Sequence, residues 1–182
     1  LAVTEEIRNL LDALAPFLRA QRVTVDILCG AAAEVRGEIA RSITGLPGVR
    51  LLAGAADLDG LRSALRQGYR VLHYIGHGGF DPQVGGALVL GRDDGRPVVV
   101  GSQALARELR GSSVAVLLLN ACESAMEDTG PALMGLAPNL VRAGLPAVIA
   151  MQYALPDASA LDFSRALYQA LADGWPLDAA VT

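Results

Sequence analysis

Two histidines and two cysteines are present in this 182-residue chain, and one of each falls at the end of an apolar run. Residues 71–80 read Val-Leu-His-Tyr-Ile-Gly-His-Gly-Gly-Phe, and residues 117–124 read Leu-Leu-Leu-Asn-Ala-Cys-Glu-Ser. An imidazole titrates near neutrality, and a thiol has a reference pKa of about 8.5. Placed together, the first removes the proton of the second, and the thiolate becomes a nucleophile for carbonyl carbon. His77 precedes Cys122 by 45 positions. If the two runs are neighbouring strands of a parallel sheet, both residues emerge at its carboxyl edge, where open α/β sheets place their sites.

Each residue also has a plainer reading. A free cysteine is most often a small buried hydrophobe, but Asn-Ala-Cys-Glu-Ser is a polar exit from a strand rather than a continuation of a core. Cys29 ends Ile-Leu-Cys-Gly with no histidine motif beside it and reads as structural. His73 alternates with Leu72 and Tyr74 inside a strand expected to end near Ile75, which makes it a core histidine. His77 follows Gly76, outside the expected regular strand, with Gly78 and Gly79 behind it. Glycine lets backbone amides approach a ligand closely. The amides of Gly78 and Cys122 are therefore candidates to bind the oxyanion of a tetrahedral intermediate. Asp81, Asp93, Asp94, Glu127 and Asp128 read as loop solvation, and no aspartate stands out to orient His77, so the expectation is a dyad. Ser102, Ser112 and Ser113 read as cap and turn residues, and no Gly-x-Ser-x-Gly elbow occurs.

These residues need a frame. Ile7, Leu10, Leu11, Leu14, Phe17 and Leu18 recur at helical spacing behind Thr4 as a cap. Residues 23–28 read as a strand rich in β-branched side chains, 31–44 as a helix stopped by Gly-Leu-Pro-Gly, and 49–53 as a short strand. A helix near 58–67 and a strand at 69–75 complete two expected βαβ units. Residues 87–90 and 97–100 flank Gly-Arg-Asp-Asp-Gly, a hairpin signal. A helix at 102–110, the strand 113–120, a polar loop at 123–130 and a helix from Pro131 to Arg142 follow. A buried strand at 147–151 and a helix at 157–173 close the pattern. One doubly wound domain over residues 1–182 is expected.

Composition narrows the function classes. The chain is 52% apolar, enough for a layered core. It has no apolar run near the ~18 residues of a membrane span, so no membrane partner is expected. All 15 basic residues are arginine, which rules out a Gly-x-x-x-x-Gly-Lys phosphate loop and with it the main signal for a nucleotide-binding domain. A net charge of −4 with scattered basic residues and 4% aromatics gives no nucleic-acid surface. Two cysteines and two histidines four apart in one strand make neither a disulfide scaffold nor a metal cluster. No metal or cofactor is expected, and a cytoplasmic location fits the cysteine usage. The ends at Leu1 and Thr182, the latter inside a starting helix, read as those of a fragment from a longer chain.

In several motifs the sequence resembles the CHAT domains of the caspase–separase group of cysteine peptidases. These are Leu-His-Tyr-Ile-Gly-His-Gly-Gly-Phe ending at Phe80, Leu-Asn-Ala-Cys-Glu-Ser-Ala ending at Ala125, and Leu-Ala-Pro from Leu136. Val-Arg-Ala-Gly-Leu-Pro-Ala-Val-Ile-Ala-Met-Gln from Val141, Asp157-Ala, and the helix over 163–171 with Gly174 continue the match. The resemblance implies a caspase-like three-layer α/β/α sandwich with a mostly parallel central sheet, and a cysteine endopeptidase acting on a peptide or protein substrate. By that pattern His77 would be the base and Cys122 the nucleophile, with His73 at the motif's non-catalytic position. Met151, Gln152 and Tyr153 would lie along the substrate, and Asn120 near the first specificity pocket. Relatives that cut after basic residues place an acid near that pocket; Asn120 is neutral, so Asp157 would have to supply the charge. Glu123 and Ser124 depart from the caspase pattern after the nucleophile, so aspartate specificity is not implied. CHAT domains usually end larger chains beside tetratricopeptide or other sensing modules, which implies a sensor domain in the same protein, and the composition is similar to that of high-GC bacteria. The alternative is a non-catalytic signalling scaffold on the same fold.

Overall fold

The computed structural model describes residues 3–30, 33–91, 96–122, 135–150 and 157–182. Among them the elements run α1 (Val3–Arg19), β1 (Val25–Ile27), α2 (Ala33–Ser42), β2 (Val49–Leu51), α3 (Leu58–Leu65), β3 (Val71–Asp81) and β4 (Gly85–Gly91). They continue with β5 (Pro97–Gly101), α4 (Ser102–Leu109), β6 (Val116–Cys122), α5 (Leu136–Arg142), β7 (Ala147–Ala150), α6 (Asp157–Ala172) and α7 (Leu177–Ala180). The chain divides into two compact units: one holds residues 1–27, 32–52 and 155–182, the other residues 28–31 and 53–154.

In the first unit the apolar stripe of α1 does what its spacing requires. Ile7, Leu10, Leu11, Leu14 and Leu18 are buried, and α1 packs against α6. The helix stops at Gln21, whose φ of 55° is left-handed. There the Gln21 amide donates to the Leu18 carbonyl (3.0 Å) and the Arg22 amide to the Phe17 carbonyl (2.9 Å), the paired bonds of a Schellman cap. The same cap ends α6 with Gly174 in the left-handed position. β1 and β2 pair in parallel around α2, and the opposed Asp26 and Arg50 form a two-pronged ion pair (2.8 and 2.5 Å).

The second unit is built on a five-stranded sheet of order β5-β4-β3-β6-β7. Residues of alternate parity fill one face. Leu88 and Leu90 of β4, Val100 of β5, and Leu117 and Leu119 of β6 form a core with Leu65 of α3, Leu105 and Leu109 of α4, and Leu136 and Leu140 of α5. Leu72 and Tyr74 of β3 pack against it. Residues of the other parity, including His73, Ile75 and His77, belong to the opposite face.

Two expectations need correction. The sheet is mixed rather than mostly parallel: β3·β6 and β6·β7 are parallel, whereas β3·β4 and β4·β5 are antiparallel. The cause is a turn the sequence does contain. The Asp81 carboxylate accepts from the amides of Gln83 (2.8 Å) and Val84 (3.0 Å), and Gly85 follows at φ 75°. This Asx turn reverses the chain beside Pro82, so Asp81 shapes backbone rather than merely solvating a loop. Second, only one of the two early βαβ units forms: β1 and β2 make a separate two-stranded sheet, and β2 does not pair with β3. The hairpin of β4 and β5 is where its flanking residues put it. The expected loop at 123–130 and the helix start at Pro131 lie outside the described residues. No helix among the described residues is long and apolar enough to cross a membrane.

Candidate active site

β3 is the pivot of the site. Its residues 71–77 pair in parallel with β6, and its residues 77–81 pair antiparallel with β4. His77 is the one residue that stands in both registers. On one side it is opposite Cys122, the last residue of β6; on the other it is opposite Val89. Residues directly opposed on neighbouring strands share a face, and the strands lie about 4.8 Å apart. The backbone alone therefore brings the base and nucleophile candidates to adjacent positions at the carboxyl end of β6.

This arrangement revises two local expectations. His77, Gly78 and Gly79 lie inside β3 rather than in a turn beyond it, and Cys122 ends its strand rather than following it. The strand continues past Gly76 because β4 takes over the hydrogen bonding where β6 leaves off. His77 is exposed, whereas Gly78 and Gly79 are buried and pair with Leu88 and Ala87. His73 sits four residues earlier, opposite Leu118, on the same face as His77.

The remaining candidates fall at different places. Asn120 is opposite Ile75 in β6 and only 6% exposed, a polar side chain held at the approach to Cys122. Asp157 opens α6, which belongs to the other unit. Met151, Gln152 and Tyr153 lie outside the described residues. Cys29 is half-buried, and its thiol donates to the Gly30 carbonyl (3.3 Å).

One residue beside the dyad positions was missed. The Tyr74 hydroxyl donates toward two backbone carbonyls, that of His77 at 2.7 Å and that of Val89 at 2.8 Å. A phenol has one proton, so the two acceptors share it. Burial pushes the Tyr74 phenol up to about 12. To reach those carbonyls the ring lies over Gly76, where a Cβ would stand 2.5 Å from the hydroxyl oxygen and 2.7 Å from Cζ. The sequence signal was available: Tyr74 and Gly76 are two apart in a strand and share a face, and aromatic rings do cover strand glycines in this way.

A family comparison fits this geometry. The CHAT domain family model matches residues 7–182, essentially the whole chain. The chain belongs to the CHAT domain family. That family is a cysteine-peptidase-like, caspase-related group, and a CHAT domain with histidine and cysteine at facing register positions has the residue types such chemistry requires. A search of curated proteins finds no match to this CHAT domain.

Proposed function

We propose that this CHAT domain is a cysteine endopeptidase of the caspase-like type, with His77 as base and Cys122 as nucleophile. The observation that supports it is the register of β3 on β6, which sets His77 opposite Cys122 at the strand ends. His77 removes the thiol proton, and the thiolate attacks the scissile carbonyl carbon. The backbone amides of Gly78 and Cys122 receive the oxyanion. His77 then protonates the leaving amine, and water, deprotonated by His77, releases the acyl group from Cys122. Asn120, Met151, Gln152, Tyr153 and Asp157 are assigned to substrate binding. The wider frame of this reading is a caspase-like α/β/α sandwich. A neighbouring sensor domain of the tetratricopeptide kind, in a cytoplasmic bacterial protein, controls access to the dyad.

The test needs no known substrate. In a Cys29→Ala background, the rate of Cys122 alkylation by iodoacetamide is followed against pH, with and without His77→Ala. An assembled dyad gives an apparent thiol pKa well below about 8.5 that returns toward it when His77 is removed. An unshifted value, the same in both proteins, overturns the assignment. Cleavage from a peptide library is then expected to disappear in Cys122→Ala.

A further inference from the structure

His77 is held from behind. His77 itself is exposed, but its carbonyl accepts from a hydroxyl whose ring packs against the leucine core on the other face of β3. The grip falls at the one residue where β3 exchanges β6 for β4 as its partner. At that residue the pairing with β6 ends and the pairing with β4 begins. A histidine ring reaches its target through two side-chain torsions, and which rotamers are open to it depends on the backbone that carries it.

We propose that Tyr74 is a positioning residue for the base: by tying the carbonyls of His77 and Val89 to one hydroxyl, it fixes the orientation from which His77 reaches Cys122. This inference rests on the dyad reading above. Three further observations support it. Both carbonyls lie at the usual O–H···O distance, 2.7 and 2.8 Å, and share the one phenol proton. Only a neutral phenol can donate it, and burial keeps Tyr74 neutral far above physiological pH. Gly76 leaves the gap through which the ring passes; any side chain there would meet the hydroxyl first. Tyr74 never touches substrate, and its effect passes entirely through His77.

The experiment is a double-mutant cycle read by thiol chemistry. Alkylation of Cys122 by iodoacetamide is measured against pH in the Cys29→Ala protein and in its Tyr74→Phe, His77→Ala and doubly substituted derivatives. Tyr74→Phe keeps the ring and its packing. It is expected to slow alkylation at pH 7 at least threefold and move the apparent thiol pKa toward that of His77→Ala. Once His77 is absent, Tyr74→Phe is expected to have no further effect. A tyrosine that merely stabilises the sheet would change the rate equally in both backgrounds, which would overturn the proposal. So would a Tyr74→Phe profile superimposable on the parent's. If His77→Ala itself changes nothing, the dyad reading fails first, and that outcome is distinct from a failure of Tyr74 alone. Gly76→Ala supplies a second route, because it displaces the hydroxyl without deleting it. It should produce the same loss, dependent on His77.

Discussion

Replacing Gly76 by alanine sets two physical effects of opposite sign against each other. Glycine inside a strand weakens it, and where the backbone is compatible Gly→Ala stabilises a protein by about 0.4–1 kcal/mol through the unfolded chain. Gly76 is absent from the positive-φ residues, so its backbone suits alanine. The added Cβ, however, would sit 2.5 Å from the Tyr74 oxygen and 2.7 Å from Cζ. Tyr74 cannot simply swing aside: its ring packs against the leucine core and its hydroxyl holds two carbonyls. Overpacking of this kind costs about 1–3 kcal/mol, and the displaced hydrogen bond adds about 1 kcal/mol. The net expectation is a loss of about 1–3.5 kcal/mol on these magnitudes. In a Tyr74→Leu background the ring end and hydroxyl are gone, and the same Gly76→Ala change should be neutral or slightly stabilising. Urea unfolding followed by far-UV circular dichroism measures all four corners of the cycle. The lone Trp175 is a poor reporter, since it is exposed and lies in the other unit. Costs of Gly76→Ala that agree within about 0.5 kcal/mol in the two backgrounds would mean no coupling, and the steric argument would be wrong.

Two further outcomes follow from the same physics. The chain has no lysine and four tyrosines, so the range from pH 10 to 12 is dominated by phenol ionisation. A phenol raised to about 12 in the folded state contributes stability that is complete below the ordinary value near 10 and is lost as pH climbs through 12. Tyr74 is therefore expected to account for roughly 2–3 kcal/mol of alkaline destabilisation. Tyr74→Phe should flatten that fall in urea midpoints, and an unchanged slope would contradict it. At the end of α1, Gln21→Gly replaces a strained left-handed residue by the type α6 uses at the same position. It should raise stability by about 0.5–1 kcal/mol, read as a higher thermal midpoint; a decrease would show that the Gln21 side chain carries weight of its own.

How much of this was legible without coordinates depended on the range of the interactions. Helices α1, α4 and α6 announce themselves because helical spacing is local, and their expected spans agree with the observed ones to within a few residues, although Thr4, read as a cap, lies inside α1 and α4 starts at Ser102 without a side-chain cap. The antiparallel pair of β4 and β5 was equally plain from the Gly-Arg-Asp-Asp-Gly signal in the sequence between them. What the pattern hid was partner choice. Residues 69–75 and 113–120 read as apolar strands, and β3 and β6 do pair in parallel, but nothing in apolar runs says that β3 continues through two glycines and changes neighbour at His77. The glycines looked like the end of a strand because glycine usually ends one. Here antiparallel pairing with β4, enforced by the Asp81 turn, overrides that tendency. Pairing between β1 and β2 in their own short sheet was hidden for the same reason: two three-residue strands carry too little pattern to specify a partner. His77 and Cys122 were legible as residues, whereas their direct opposition was a matter of register, and register is a long-range property.

The mixed sheet and the dyad positions are consequences of one structural event. A strand paired along its whole length on both sides would bury a residue in its middle, and a strand that simply ended at Gly76 would leave His77 on an unsupported loop. β3 does neither. It keeps β6 on one side up to His77 and gains β4 on the other side from His77 onward. His77 thus belongs to two ladders while remaining exposed. That combination needs something to hold the junction, since each ladder ends there, and the Tyr74 hydroxyl sits on the two carbonyls at which β3 and β4 first meet. Gly76 then follows as a requirement, because the ring crosses its Cα. The run Tyr-Ile-Gly-His-Gly-Gly is accordingly a single device: a tether, a gap for the tether, the base it steadies, and two glycines that lie flat in the antiparallel ladder.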